Sequence, residues 1–220
     1  VDLLTFARGP ALTASLAIFV GGVLWRLVAL FLLPQPKDVS PKRPGSASPA
    51  KAAFEAMIGR MTVAPPFRQR TRVGFVNAWI FHVGYLMILL LGAPHILFLS
   101  GLLPLPVWPG LPKGIIDLIS FLTLASLLFA LFQRRSHPVR RLLSTADDYL
   151  SWLLTTLPVI TGILATTVIL GRYETLLALH ILSVEALLIY FPFGKLMHAF
   201  LWFFSRGLTG VRFAHRGART

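Results

Sequence analysis

The sequence predicts an all-α membrane protein: a bundle of five transmembrane helices, with the N-terminus outside and the C-terminus in the cytoplasm. Three observations carry this. The 220 residues are 55% hydrophobic and only 13% charged, with a mean hydropathy of +0.73, whereas an ordinary soluble domain has about a quarter of its residues charged. The apolar residues gather into five runs, each close to the roughly 20 residues that a bilayer requires. The Lys and Arg residues between those runs fall overwhelmingly on one side of the membrane once the runs are threaded through it.

Taken in order, helix I is expected over about Ala11–Leu33, ending at Pro34. The run follows Asp2 and a single Arg and has no small-residue cleavage site after it, so it reads as a retained helix rather than a signal peptide. A basic loop follows, over about residues 34–73. Its first part, Pro34 to Pro49, reads as irregular chain. Ala50 to Met61 carries Ala53, Phe54, Met57 and Ile58 at helical spacing, which fits either an interfacial amphipathic helix or a linker with a few apolar residues. Helix II is expected over about Gly74–Leu103, helix III over Ile115–Phe132, helix IV over Tyr149–Leu170 and helix V over Thr175–Phe204. Ser144 or Thr145 can cap helix IV, with Asp147 and Asp148 in its first turn. Trp108 and Tyr173 near one boundary and Trp202 near the other suit the interfacial preference of amphipathic rings. No internal repeat is evident, so the chain reads as a single domain over 1–220.

The basic loop holds Lys37, Lys42, Arg43, Lys51, Arg60, Arg68, Arg70 and Arg72; the III–IV loop holds Arg134, Arg135, Arg140 and Arg141; the C-terminal segment holds Arg206, Arg212, Arg216 and Arg219. Against these sixteen, the opposite side has only Arg8, Lys113 and Arg172. That bias sets the orientation, and it explains the net charge of +13 without nucleic acid. There is no cysteine, which excludes disulfides, a cysteine-ligated iron–sulfur cluster and covalent haem attachment.

Six histidines remain to be explained. His137 and His215 lie in basic segments and read as solvated or lipid-facing. His82 and His95 lie in helix II, and His180 and His198 in helix V. Ionisable side chains within spans are costly and usually face a partner or a cavity. Because helices II and V run in opposite directions, His95 and His180 form an outer pair and His82 and His198 an inner pair. Haem iron held between two helices takes one axial ligand from each, and this layout provides that twice. The 18 residues from His180 to His198 are five helical turns, while the 13 from His82 to His95 leave those two about 140° apart on a straight helix. Pro94 and Pro192 offer places for kinks. Arg26 and Lys195, in the cytoplasmic halves of their helices, either snorkel or pair with a haem propionate. Glu185 is read as a partner for another helix, a proton carrier or a second bond to a haem ligand.

Helix II reads Ile80-Phe81-His82-Val83-Gly84, and helix V runs from His180 to Phe191-Pro192-Phe193-Gly194-Lys195-Leu196-Met197-His198. In these motifs the chain resembles the gamma subunit of respiratory nitrate reductases, a dihaem cytochrome b membrane anchor. The resemblance implies that His82 and His198 ligate the cytoplasmic-side haem and that His180 ligates the outer one. The second helix II histidine, in Gly92-Ala93-Pro94-His95, comes a few residues later than in that family. This departure points towards relatives paired with heterodisulfide-reductase-like iron–sulfur proteins.

The function this implies is electron transfer through two haem b groups, or the inner one alone. Electrons would pass between membrane quinone or quinol and an iron–sulfur subunit at the cytoplasmic face of an oxidoreductase complex that is not catalytically complete in this chain. The setting implied is a bacterial or archaeal cytoplasmic (inner) membrane. Lipid and quinone are its membrane partners, and anionic lipid also suits the basic loops. The alternative is a haem-free membrane anchor or proton-conducting protein using histidine and Glu185.

Overall fold

A computed structural model describes residues 2–34, 38–59 and 61–218. Lys37, Arg60 and Arg219 of the charge count lie outside the described residues. Among the described residues every regular element is helical, and five helices are long and apolar enough to cross a membrane: Leu3–Leu32, Pro65–Leu91, Lys113–Ser136, Ala146–Thr167 and Tyr173–Tyr190. The chain is a multi-pass, all-helical membrane protein.

The first of these begins earlier than the sequence pattern indicates. Leu3–Phe6 is already helical, and a π-helical turn over Ala7–Ala11 admits Pro10 and leads into α1 (Leu12–Leu32). Proline lacks the N–H that closes an α-helical turn, and one widened turn accommodates it without ending the helix. The Thr13 hydroxyl donates to the Gly9 carbonyl (3.0 Å).

Two expected long helices are broken. Helix II divides into α3 (Arg68–Leu91) and α4 (Ala93–Leu102), following α2 (Pro49–Gly59). Gly92 between them is extended, with ψ 123°, and Pro94 stands in the first turn of α4, where its missing N–H costs no helical bond. Three of the carbonyls at the end of α3 find donors from beyond the helix. His95 Nδ1 lies 2.9 Å from Ile88 O, the Trp108 indole N–H is 2.6 Å from Leu90 O, and the Leu111 N–H is 2.9 Å from Leu91 O. A helix end needs such partners when it is removed from water.

Three helices follow: α5 (Lys113–Ser136), the short α6 (Pro138–Leu143) and α7 (Ala146–Thr167). Thr145 caps α7 in a capping box with Asp148, whose Oδ2 accepts from the Thr145 N–H at 2.9 Å. Helix V is α8 (Tyr173–Tyr190) and stops there; a separate amphipathic helix, α9 (His198–Arg216), carries the rest. The expectation of one helix through Phe204 is therefore corrected. Pro192 cannot continue the ladder, and the N–H groups of Phe193 and Gly194 both turn back to Tyr190 O (3.0 and 3.1 Å). A Cβ at 194 would stand 2.2 Å from Tyr190 Cζ, so a larger residue there requires the Tyr190 ring to move.

Contacts divide the chain into two compact units: Val1–Leu16 with Arg72–Ile189, and Ala17–Thr71 with Tyr190–Thr220. Within the first, α3 and α5 are joined by a buried reciprocal pair. Asn77 Nδ2 donates to Ser126 O (3.1 Å), and the Ser126 hydroxyl lies 2.9 Å from Asn77 O and 2.8 Å from its Oδ1. Hydrogen bonds of this kind between membrane helices contribute about 0.6–2 kcal/mol. Higher up, Gly84 leaves the space that Thr123 of α5 occupies. Between α5 and α7, the Trp152 indole donates to Leu127 O (2.8 Å), and Arg134 pairs with Asp148 at 3.2 Å.

In the second unit, Phe19, Phe191 and Phe200 form an aromatic cluster with centroids 5.4–6.1 Å apart. The segment expected to be either an interfacial helix or a linker is helical, as α2, and it packs on α9 through small residues. Ala52 and Ala56 are buried against Gly210, while Phe54 and Ile58 face outward. The irregular chain before α2 is tied to the end of α9. His215 Nε2 donates to Ser40 O (2.8 Å), the Arg43 N–H donates to His215 O (3.0 Å), and Arg216 pairs with Asp38 at 2.9 Å. The Ser40 hydroxyl, and after it the Arg216 guanidinium, hold the Asp38 carboxyl well below the usual carboxylate range.

Candidate functional site

The four histidines of the expected helices divide between the units: His82, His95 and His180 in the first, His198 in the second. His95 and His180 come together. Their ring centroids are 6.0 Å apart, with the planes at 51°. The straight-helix phase argument against His95 does not apply, because the break at Gly92 separates it from His82. His95 sits one turn into α4 rather than on a continuation of α3.

All four histidines share one feature that the sequence did not reveal. In each, Nδ1 lies within hydrogen-bonding distance of a protein oxygen. His82 Nδ1 is 2.7 Å from Ala78 O, His95 Nδ1 is 2.9 Å from Ile88 O, and His198 Nδ1 is 2.8 Å from Lys195 O. A carbonyl oxygen only accepts, so each of these Nδ1 atoms carries the hydrogen. His180 Nδ1 lies 3.2 Å from the Thr161 hydroxyl. Thr161 donates its own hydrogen to Leu157 O (2.8 Å), so it accepts from His180. Ser183 completes the cluster, 2.9 Å from Thr161 and donating to His180 O at 2.7 Å. Gly162 leaves room for the ring: a Cβ there would stand 3.2 Å from His180 Cε1. Such bonds to the remote nitrogen fix the tautomer and orientation of metal-ligating imidazoles.

His215 is the contrast, since its Nε2 is already bonded to Ser40 O. It ties the chain before α2 to the end of α9 through a solvent-exposed hydrogen bond. His137 is exposed at the junction of α5 and α6.

The geometry at His95 and His180 fits a haem. Two imidazoles on opposite sides of one metal, each with a bond of about 2 Å, have ring centres roughly 6 Å apart. Among the described residues no group of three or more His, Asp or Glu side chains gathers to hold a bare metal ion. A pair of imidazoles suits a metal whose other ligands come from a porphyrin.

In the second unit His198, Lys195 and Arg26 line one open groove with Arg206. Glu185 is buried in α8 at 3% exposure, and its Oε1 has no hydrogen-bond partner among the described residues.

No family model and no solved structure matches the chain. A protein of Nitratidesulfovibrio vulgaris (strain Hildenborough) is 31% identical to it over 218 residues, covering 98% of this chain and 96% of the relative. At that identity over nearly the whole of both chains, this protein belongs to the same family as the Nitratidesulfovibrio vulgaris protein.

Proposed function

We propose that this chain is the haem b electron-transfer and membrane-anchor subunit of an oxidoreductase complex, similar to the nitrate reductase gamma subunit and its heterodisulfide-reductase-associated relatives. It exchanges electrons between the quinone or quinol pool and an iron–sulfur partner at the cytoplasmic face of a bacterial or archaeal cytoplasmic membrane. The observation that carries the reading is the His95–His180 pair, 6.0 Å apart with each Nδ1 turned to a protein oxygen. His82 and His198, with the same Nδ1 arrangement, are the proposed ligands of the inner haem.

When bound, haem supplies a one-electron couple, and the chain supplies binding, orientation and a low-dielectric setting. His95 and His180 present Nε2 from α4 and α8, so ligation would also tie those helices together. Thr161 and Ser183 hold the His180 ring, and the end of α3 holds the His95 ring. Without cysteine the chain has no thiolates for an iron–sulfur cluster, so electrons must leave through a partner.

Reduced-minus-oxidised spectra of the purified chain test this directly: two b-type components are expected, or one if only the inner site fills. A second reading has one observation in its favour. The buried Glu185, with Oε1 unbonded, suits a haem-free proton-conducting protein. Absence of any b-type spectrum would select that reading over ours.

The proposed orientation, N-terminus outside, follows from the sixteen-to-three bias in Lys and Arg. A reporter active only in the cytoplasm should therefore work when fused to the C-terminus. Activity of a periplasm-dependent reporter there would overturn the topology.

A further inference from the structure

Arg26 carries a charge inside a membrane-spanning helix. It stands about 9 Å along the axis from the end of α1 at Leu32, and no side chain of the described residues pairs with it. A cation at that depth is costly unless it reaches a partner or the headgroups. In the same compact unit α9 runs beside the end of α1. Phe31 and Phe204 meet edge-on, with ring centres 6.0 Å apart, which puts Arg206, half a turn further on, at the level where α1 ends.

Arg26 and Arg206 line one open groove of about 610 Å³. The Arg206 guanidinium lies over the Trp202 ring at 5.3 Å, a stacking that orients its fork. Ser205 adds a hydroxyl, Met197 and Leu201 add apolar wall, and no Asp or Glu is among the lining residues. Lys195 and His198 border the same groove but make contacts of their own within the protein. The two guanidinium groups repel each other across the space, and an anion between them is attracted by both. At the end of a span the abundant anion is the phosphodiester of an acidic lipid, and an arginine fork meets phosphate oxygens with two parallel N–H donors. Apolar wall beside the arginines suits an acyl chain, whereas a free phosphate ion would gain nothing from it.

We propose that this groove binds one anionic phospholipid from the leaflet in which α1 ends, with its phosphate between Arg26 and Arg206 and its chains along Met197, Leu201 and Trp202. The site uses neither haem nor a haem ligand, so it stands or falls independently of the dihaem reading.

The full-length chain, delipidated in detergent, is titrated with phosphatidylglycerol or with phosphatidylcholine of the same acyl chains, and occupancy is read by native mass spectrometry. Phosphatidylcholine carries the same phosphate, but its choline cation would sit against the arginines. Wild type should therefore hold one phosphatidylglycerol on the order of tenfold more tightly, the scale of one charge-assisted hydrogen bond. Arg26→Gln with Arg206→Gln should erase the preference. Arg70→Gln with Arg72→Gln removes as much charge from the start of α3 and should leave it intact. Equal affinity of wild type for the two lipids would overturn the proposal without recourse to any variant. Equal loss of preference in both double variants would also overturn it, by showing a diffuse effect of basic surface rather than a site. Displacement of the lipid by inorganic phosphate would overturn it too, since the groove would then take the free ion.

Discussion

Replacing His180 with alanine is expected to remove one haem of two, and replacing His95 is expected to remove the same one. In the proposed site each would contribute one bond to a shared iron, and their rings stand 6.0 Å apart. An iron left with one imidazole loses the bond that joins α4 to α8, so the pair should behave as a unit. The double mutant should therefore lose little more than either single mutant. His82→Ala and His198→Ala should likewise delete one common component, the other one. His137→Ala should leave both in place, and His215→Ala should too, because its Nε2 is committed to Ser40 O. Haem titration with spectra of the six single mutants is the measurement. Two full haems in His95→Ala, with one lost in His180→Ala, would show that the outer haem takes another ligand on the helix II side. His95 would then serve only to cap α3 through Ile88 O.

The second large effect is structural. Gly210→Val should detach α2 from α9. A Cβ at 210 would stand 2.4 Å from Ala56 Cβ and 2.5 Å from Ala52 O. The carbonyl belongs to helix backbone, so no rotamer change relieves the clash and the helices must separate. Overpacking of this kind costs about 1–3 kcal/mol or more. A cross-link makes the separation visible. An ideal Cβ at Gly207 lies 3.6 Å from Ala53 Cβ, within the roughly 3.5–4.5 Å that disulfides span, and the chain has no cysteine to interfere. Ala53→Cys with Gly207→Cys should close a disulfide on mild oxidation in otherwise wild-type protein and fail to do so with Gly210→Val added. Equal cross-linking in both would mean that α2 and α9 tolerate the added bulk.

The five spans and the α7 cap were legible in the sequence, because runs of Leu, Ile, Val and Phe of bilayer length and a Thr145-Asp148 spacing are local signals. The closeness of His95 and His180 was legible from topology alone, since antiparallel threading of helices II and V puts them at one level. The helix breaks were not. Pro94 and Pro192 were visible, but a proline can bend a helix or end it, and the outcome here depends on capping groups distant in sequence, such as Trp108 and Leu111 at the end of α3. The same distance hid the Asn77–Ser126 pair, where each member alone is an ordinary polar residue in an apolar run. It also hid Thr161, which acquires meaning only beside His180. The seating of α2 on α9 depends on alanine and glycine, whose value lies in the absence of bulk, and hydrophobic periodicity does not register that.

The two helix breaks also bear on how the chain can change in length over evolutionary time. Inside a continuous α-helix, one inserted or deleted residue turns everything beyond it by about 100° and moves it by about 1.5 Å. Two ligands on one such rod would be locked to a fixed spacing. Here the chain leaves the helix between His82 and His95, at Gly92, and again between His180 and His198, at Phe191–Gly194. A turn can absorb a gained or lost residue by rearranging its own backbone, leaving the helices on either side in register with their neighbours. Length differences among homologues in these two intervals should therefore collect at the turns, whereas α3 from His82 onward and α8 after His180 should align without gaps.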